Sequence, residues 1–240
     1  MRIATYNVHS CIGRDGRCDP ARIAAVIAEM NPDVVCLQEL DVERARTASL
    51  DQAAELARIL EMDFHFNATI DEVSGRYGDA ILSKLPFEMV VARSLPPVRH
   101  PFPRERRGAI WVEVVEEGCP WQIINTHFGL GNGERRSQAH ALVEEWIKPA
   151  LEQPPVVLCG DLNSRPSSAV HTIIGASLDD VFSPPPMQHP RTFSTRWPLV
   201  CLDYLFVSAS VRVEHAAAWK SPLAAVASDH FPVLAEITAP

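Results

Sequence analysis

Six places in this 240-residue chain set a carboxylate, an amide or an imidazole at the end of a short apolar run, or inside one. Tyr6 gives way to Asn7, and Asp33-Val34-Val35-Cys36-Leu37 to Gln38-Glu39. Ile123-Ile124 leads into Asn125-Thr126-His127, and Val156 to Cys159 into Gly160-Asp161-Leu162-Asn163. Asp203 interrupts the stretch from Leu199 to Val207, and Ser228-Asp229-His230 precedes the last apolar run. Each residue alone has a structural explanation: Asn7 satisfying a loop backbone, Glu39 a solvated strand end, Asp161 an Asx-turn, Asp203 an arginine's partner. His127 and His230 alone read as core histidines with a satisfied tautomer. Together they read differently. Several carboxylates gathered at one sheet edge are too costly to bury without a compensating cation.

The elements that must carry these groups follow from hydrophobic period. Ile23, Val26, Ile27 and Met30 fit one helix face, with Asp19 as N-cap, Pro20 at the first helical position and Asn31-Pro32 as the stop. Ala53, Leu56, Ala57 and Leu60 predict a second helix, with Ser49 and Gln52 spaced as a capping box. Ala139, Leu142, Val143 and Trp146 predict a third, closed by Pro149. Between and after them come short β-branched runs: Ile3 to Val8, Asp33 to Leu37, Ala80 to Leu82, Met89 to Ala92, Ala109 to Val115 and Trp121 to Asn125, then Val156 to Cys159, Leu202 to Val207, Val211 to Val213 and Pro232 to Ile237. About ten strands exceed one doubly wound sheet, so two packed sheets flanked by helices are expected. With no repeat and no Gly/Ser linker, residues 1–240 read as a single domain, and the proline-rich stretches Leu95 to Pro103 and Ser183 to Pro190 as surface loops.

Composition narrows the partners. The chain is 47% hydrophobic and 22% charged, which excludes disordered, collagenous and coiled-coil classes. Its formal net charge of −8 disfavours a broad electrostatic grip on nucleic acid; the dense basic cluster, Arg99 to Arg107, which Arg135-Arg136 could join in space, tilts this only locally. The N-terminus carries no signal-like apolar region, and no run approaches the ~20 residues of a membrane span. Six cysteines form no CxxC pair, and the spacing of Cys11 and Cys18 beside His9 fits no common zinc motif. A reducing, cytoplasmic compartment is expected.

In order and over nearly the whole chain, Thr5-Tyr6-Asn7-Val8-His9, Leu37-Gln38-Glu39, Asn125-Thr126-His127, Gly160-Asp161-Leu162-Asn163, Leu202-Asp203-Tyr204 and Ser228-Asp229-His230 resemble the motifs of the endonuclease/exonuclease/phosphatase superfamily. The resemblance implies an α/β fold, a four-layered α/β sandwich of two mixed β-sheets packed together and flanked by helices, and hydrolysis of phosphate esters with a divalent cation. Its substrate classes leave three functions open. A phosphodiesterase of a small molecule or lipid headgroup leads, a DNA or RNA nuclease follows, and a non-catalytic phosphate-binding module of the same fold comes last.

Phosphate hydrolysis needs positive charge on the non-bridging oxygens, an activated water and a stabilised leaving oxygen. Glu39 is a hard oxygen ligand suited to Mg²⁺, with Mn²⁺ as a substitute. By resemblance, Asn7 and Asp229 complete or support that site, and Asp161 and Asn163 position water and phosphate, with Asp161 as base or leaving-group acid. Asp161 and Asn163, two residues apart beyond one strand, are expected to point the same way along extended backbone. His127 and His230 are expected to hydrogen-bond phosphate oxygens, with Asp203 holding His230 in one tautomer. The sequence leaves the acid and base roles open between Asp161 and His230. Arg107 is either a bidentate phosphate contact or part of a solvated basic loop. Tyr77 and Asp79 fall where the resemblance places a polar residue beside the phosphate, Asp79 in place of the expected asparagine.

Overall fold

The computed structural model describes residues 1–97, 105–183 and 188–239. One six-stranded sheet contains β1 (Arg2–Asn7), β2 (Val34–Val42), β3 (Asp63–Glu72), β4 (Gly75–Ser83), β11 (Arg212–Ala218) and β12 (Val233–Thr238), in the order β11-β12-β1-β2-β4-β3. The other contains β5 (Phe87–Ser94), β6 (Gly108–Glu116), β7 (Cys119–His127), β8 (Val156–Asp161), β9 (Asp179–Asp180) and β10 (Asp203–Val207), in the order β5-β6-β7-β8-β10-β9. Both sheets are mixed. β1 and β2 run parallel in the first and β7 and β8 in the second, and every other pairing is antiparallel.

Alternation along the strands separates the layers. Ile3, Cys36 and Ile81 of the first sheet meet Ile110, Ile123, Cys159 and Leu205 of the second in a core between the sheets. The opposite faces carry Tyr6, Leu37 and Leu82 against helices α1 (Pro20–Met30) and α2 (Gln52–Leu60), and Ile124, Leu158 and Phe206 against α3 (Asn132–Leu142) and its continuation. The result is the expected four-layered sandwich. Gln38 and Asn125 tie the two sheets across the central layer: Gln38 Nε2 donates to Asn125 Oδ1 at 2.8 Å and to Thr5 Oγ1 at 3.0 Å, and Asn125 Nδ2 donates to the Leu37 and Ala80 carbonyls at 2.9 Å each. The amide nitrogens of both side chains are bonded and carry the bridge, which lies directly beneath the polar edge.

Four local expectations change. The α2 N-cap is Asp51, whose side chain accepts from the Ala54 N–H, so the Ser49/Gln52 capping box does not form. Gln52 is instead buried, donating to the Ser10 carbonyl and accepting from the Asp41 N–H. Pro149 does not close the third helix: a π-helical turn over Val143–Ile147, with Lys148 N–H bonded to the Val143 carbonyl, passes the chain into the short α4 (Lys148–Ala150). The wider turn accommodates a residue that lacks an N–H. β2 does not end at Leu37 but continues to Val42 through a bulge. Finally, β3 and β9 are strands beyond those expected, short helices α5 (Ala169–Gly175) and α6 (Ala224–Ala227) follow, and 3-10 turns form at His9–Cys11 and Ala45–Thr47.

The proline-rich loops fall partly outside the described residues, as do Arg99 and Arg104 of the basic cluster. All six cysteines are free thiols, and among the described residues no helix is long and apolar enough to cross a membrane.

Candidate active site

The parallel strands of the two sheets end at one edge. Asn7 closes β1, His127 closes β7 and Asp161 closes β8, with His127 and Asp161 directly opposite each other in the β7/β8 ladder. Asp203 opens the antiparallel β10 opposite Asp161, and His230 sits just before β12 beside β1. Glu39 arrives differently. It follows Gln38, which faces the central layer, so simple alternation would turn it toward the helices. The bulge between Leu37 and Leu40 holds Glu39 at φ 64° and aims it into the edge instead.

The convergence forms a cleft of about 380 Å³. Its floor is an amide between two carboxylates: Asn7 Nδ2 lies 3.0 Å from Glu39 Oε1 and 3.0 Å from Asp161 Oδ2. Asn7 Oδ1 accepts the His9 backbone N–H at 3.1 Å, which fixes the amide's orientation. Asp161 and Asn163 do converge, but not along extended backbone. Asn163 has a left-handed φ of 47°, and its N–H closes an Asx-turn onto Asp161 Oδ1 at 2.8 Å. Its amide nitrogen lies 2.9 Å from the Phe128 carbonyl and 3.1 Å from His127 Nε2.

The two histidines stand on opposite walls. Arg107 Nη1 donates to His127 Nδ1 at 2.9 Å, and Nε2, beside the Asn163 amide, lies 3.7 Å from Asp161 Oδ2 and 3.8 Å from Glu39 Oε1. Burial, then the Arg107 charge, hold His127 well below the usual imidazole range. His230 Nδ1 is held by both oxygens of Asp203, at 2.9 and 3.1 Å, and its Nε2 faces Asp161 Oδ2 at 3.7 Å. Burial opposes charge on this ring, but Asp203 and Asp161 outweigh it and raise His230 to about 10. Burial also pushes Asp161 up to about 7, against the pull of His230.

Arg107 is not part of a solvated loop. It is 7% exposed, lines the cleft and bonds Glu105 through Nη2 at 2.9 Å. Tyr77 lines the cleft as well, whereas Asp79 is buried behind it. Burial raises Asp79 to about 7; the Arg107 charge and the Glu39 backbone N–H favour its ionised form. That places the departure from asparagine under the bulge that aims Glu39. Asp229 lines the rim, its carboxylate 3.9 Å from His9 Nδ1.

Several lining residues carry no motif that announces them. Arg46 is anchored by buried Asp41, with Nε 2.6 Å from Oδ2 and Nη2 2.7 Å from Oδ1. Leu130 and Phe193 supply apolar surface, and Phe193 packs its ring 4.8 Å from that of His230. His9, the last residue of the Thr5-to-His9 motif, and Ser10 beside it line the cleft through consecutive left-handed residues.

As donors for a divalent cation, Glu39, Asp161 and Asp229 present hard oxygens at one cleft, and Asn7 gathers the first two. This set fits a small oxygen-seeking ion better than a thiophilic one. The ligand atoms of Asp161, Asp203 and His230 also lie within 4.8 Å of one another, but His230, held charged by Asp203 and Asp161, has no lone pair to offer an ion.

The family model described as "Endonuclease/Exonuclease/phosphatase family" matches residues 4–230. The "Uncharacterized protein YbhP" of Escherichia coli (strain K12) is 26% identical over 252 residues, covering 99% of this chain and 96% of that protein. Among solved structures, the endonuclease/exonuclease/phosphatase of Beutenbergia cavernae DSM 12333 superposes with a TM-score of 0.79 at 22% identity, over 100% of this chain and 71% of that one. The human Nocturnin catalytic domain with bound sulfate anion gives a TM-score of 0.77 at 20% identity, over 100% of this chain and 94% of that one.

Proposed function

This chain belongs to the endonuclease/exonuclease/phosphatase family, and from that premise we propose that residues 1–240 form one Mg²⁺-dependent phosphodiesterase domain acting on a small-molecule or lipid-headgroup substrate. The observation that carries the reading is the pairing, in one cleft, of a cationic His230 with an Asp161 raised to about 7. Glu39, with Asp229 and the amide of Asn7 in support, would hold Mg²⁺ or Mn²⁺, which supplies charge neutralisation at the phosphate oxygens when bound.

The remaining chemistry belongs to side chains. Asp161, near neutrality and facing both histidines, accepts the proton of the attacking water, and Asn163 positions that water and the phosphate. His230, kept charged by Asp203, stabilises the developing negative charge. His127 faces the phosphate oxygens through Nε2, with Arg107 bonded to Nδ1 behind it and lining the cleft with Tyr77. Asp79 supports the Glu39 bulge rather than touching substrate. The lipid or small-molecule preference rests on the net charge of −8 and on the apolar mouth formed by Leu130 and Phe193. Trp197 and Leu199, both exposed, extend the Phe193 segment.

A substrate panel tests the reading: an aryl phosphodiester, glycerophosphodiesters, a phosphomonoester, and single- and double-stranded nucleic acids, at two salt concentrations with and without EDTA. Mg²⁺-dependent turnover of the small diesters, lost in Glu39→Ala without loss of fold, is expected. Salt-sensitive cleavage of nucleic acid alone would move the protein to the nuclease reading. Phosphate binding without turnover on any substrate would make it a binding module.

A further inference from the structure

A second cluster of ligating side chains lies on the other side of the catalytic sheet. Along β10, Asp203 is buried behind His230 on the cleft side, while Tyr204 and Phe206 belong to the core beneath α3 and α5. Over those two rings sit His171 of α5, Asp180 of β9 and His189. Asp180 Oδ2 lies 2.7 Å from His171 Nε2 and 2.9 Å from His189 Nε2. The three ligand atoms fall within 4.8 Å of one another, and the two imidazoles stand nearly perpendicular, at 80° with centroids 5.4 Å apart.

We propose that His171, Asp180 and His189 form a structural site for a borderline divalent transition metal of the Zn²⁺ type, distinct from the catalytic cation. The donor set decides the class. Two imidazole nitrogens and one carboxylate oxygen suit Zn²⁺, Co²⁺ or Ni²⁺ and give Mg²⁺ too few oxygens. Each imidazole presents Nε2 to one point, and on binding each ring keeps its proton on Nδ1. The carboxylate is oriented toward the same point, because Asp180 Oδ1 accepts the Phe182 N–H at 2.8 Å and so leaves Oδ2 for the ion. Tetrahedral donors at Zn–N distances of ~2.0–2.1 Å stand roughly 3.3 Å apart, so the two carboxylate–imidazole separations need to lengthen by only about half an ångström. Asp180 is buried, whereas His171 and His189 are 20% and 25% exposed, so a fourth position opens to water and the ion has a path in.

The site joins three separate segments. α5 follows the Asp161/Asn163 turn, β9 pairs with β10 through Phe206 and Asp180, and His189 is four residues before Phe193, which packs on His230. A metal here clips the segment that carries Phe193 onto the back of the sheet, fixing one wall of the cleft without entering it.

The test uses the full-length protein, stripped of metal by chelation and dialysed into buffer with millimolar Mg²⁺ to fill the acidic cleft. Zn²⁺ titrated by calorimetry is expected to bind at one equivalent and to raise Tm. Co²⁺ is expected to give the visible absorption of a tetrahedral N/O site. His171→Gln and His189→Gln, checked for folding by circular dichroism, are each expected to weaken Zn²⁺ by more than about 100-fold, beyond the 10–100-fold typical of losing an outer-shell partner. Glu39→Ala is expected to leave Zn²⁺ binding unchanged. Retention of the one-equivalent site in both histidine variants, or its loss in Glu39→Ala, would overturn the proposal. So would the absence of Zn²⁺ binding above the Mg²⁺ background, which would leave the triad a hydrogen-bonded clasp. None of these readouts depends on turnover, so the proposal stands or falls separately from the phosphodiesterase reading.

Discussion

The two walls of the cleft hold the same side chain in opposite electrical states. On one, His127 is backed by Arg107 and is kept neutral; on the other, His230 is backed by Asp203 and is kept charged. Both rings are buried, so desolvation alone would discharge both. Both rings face Asp161; what differs is the neighbour behind each, the Arg107 guanidinium against the Asp203 carboxylate. The contrast shows that the sheet edge supplies position and that the residue behind each ring supplies function.

The comparison breaks most sharply at its charged member. His230→Gln is expected to lower kcat by about 10³-fold with little change in KM, within the 10²–10⁴ range of a group acting on proton or charge in the transition state. A rise in KM alone would reduce that wall to a binding surface. Asp203→Asn keeps the shape and removes the charge behind the ring. It is expected to cost about 10²-fold in kcat, and imidazole NMR should show the His230 pKa falling. An unchanged titration would mean that Asp161, not Asp203, sets the charge.

On the neutral wall, Arg107→Lys loses the planar contact to Nδ1 and is expected to raise KM about tenfold with a smaller effect on kcat. Steady-state kinetics on the best substrate of the panel would check it. The gentlest probe is pH. In metal-free protein, His230 titrates near 10 when folded against ~6.5 in an unfolded chain. Between those values only the folded state holds the proton, so this ring's stabilisation is complete below ~6.5 and declines as pH rises toward 10. Denaturant melts in EDTA should show that slope in the wild type and a flatter one in His230→Gln.

How far the sequence reveals this arrangement depends on whether a residue's role is local. Asn7, His127, Asp161, Asp203 and His230 terminate or flank apolar runs, and the run itself announces the edge. Glu39 is legible as a residue but not in its placement, because a bulge supported from β4 aims it and no pattern within β2 encodes that support. Arg107 looks like one arginine among several until the sheet buries it. β3 escapes notice because its residues are half-buried at a sheet edge and form no continuous apolar run. Asp51 displaces Ser49 as the α2 cap because Gln52 is needed elsewhere, tying Ser10 and Asp41 together. His171, Asp180 and His189 stand nine positions apart in turn and meet only because β9 pairs back onto β10.

The register of the first sheet has a consequence for biosynthesis. β1 is flanked by β2, which follows it closely in the chain, and by β12, made some two hundred residues later, with Arg2 paired to Glu236 and Thr5 to Val233. A nascent chain emerging from the ribosome therefore carries β1 with one open edge until β12 arrives, and His230 arrives with it. The second sheet, β5 to β10, is complete well before that moment. The cleft assembles only once β12 has been made, so a polypeptide stalled before it both lacks His230 and is exposed along β1 to strand-pairing with other chains.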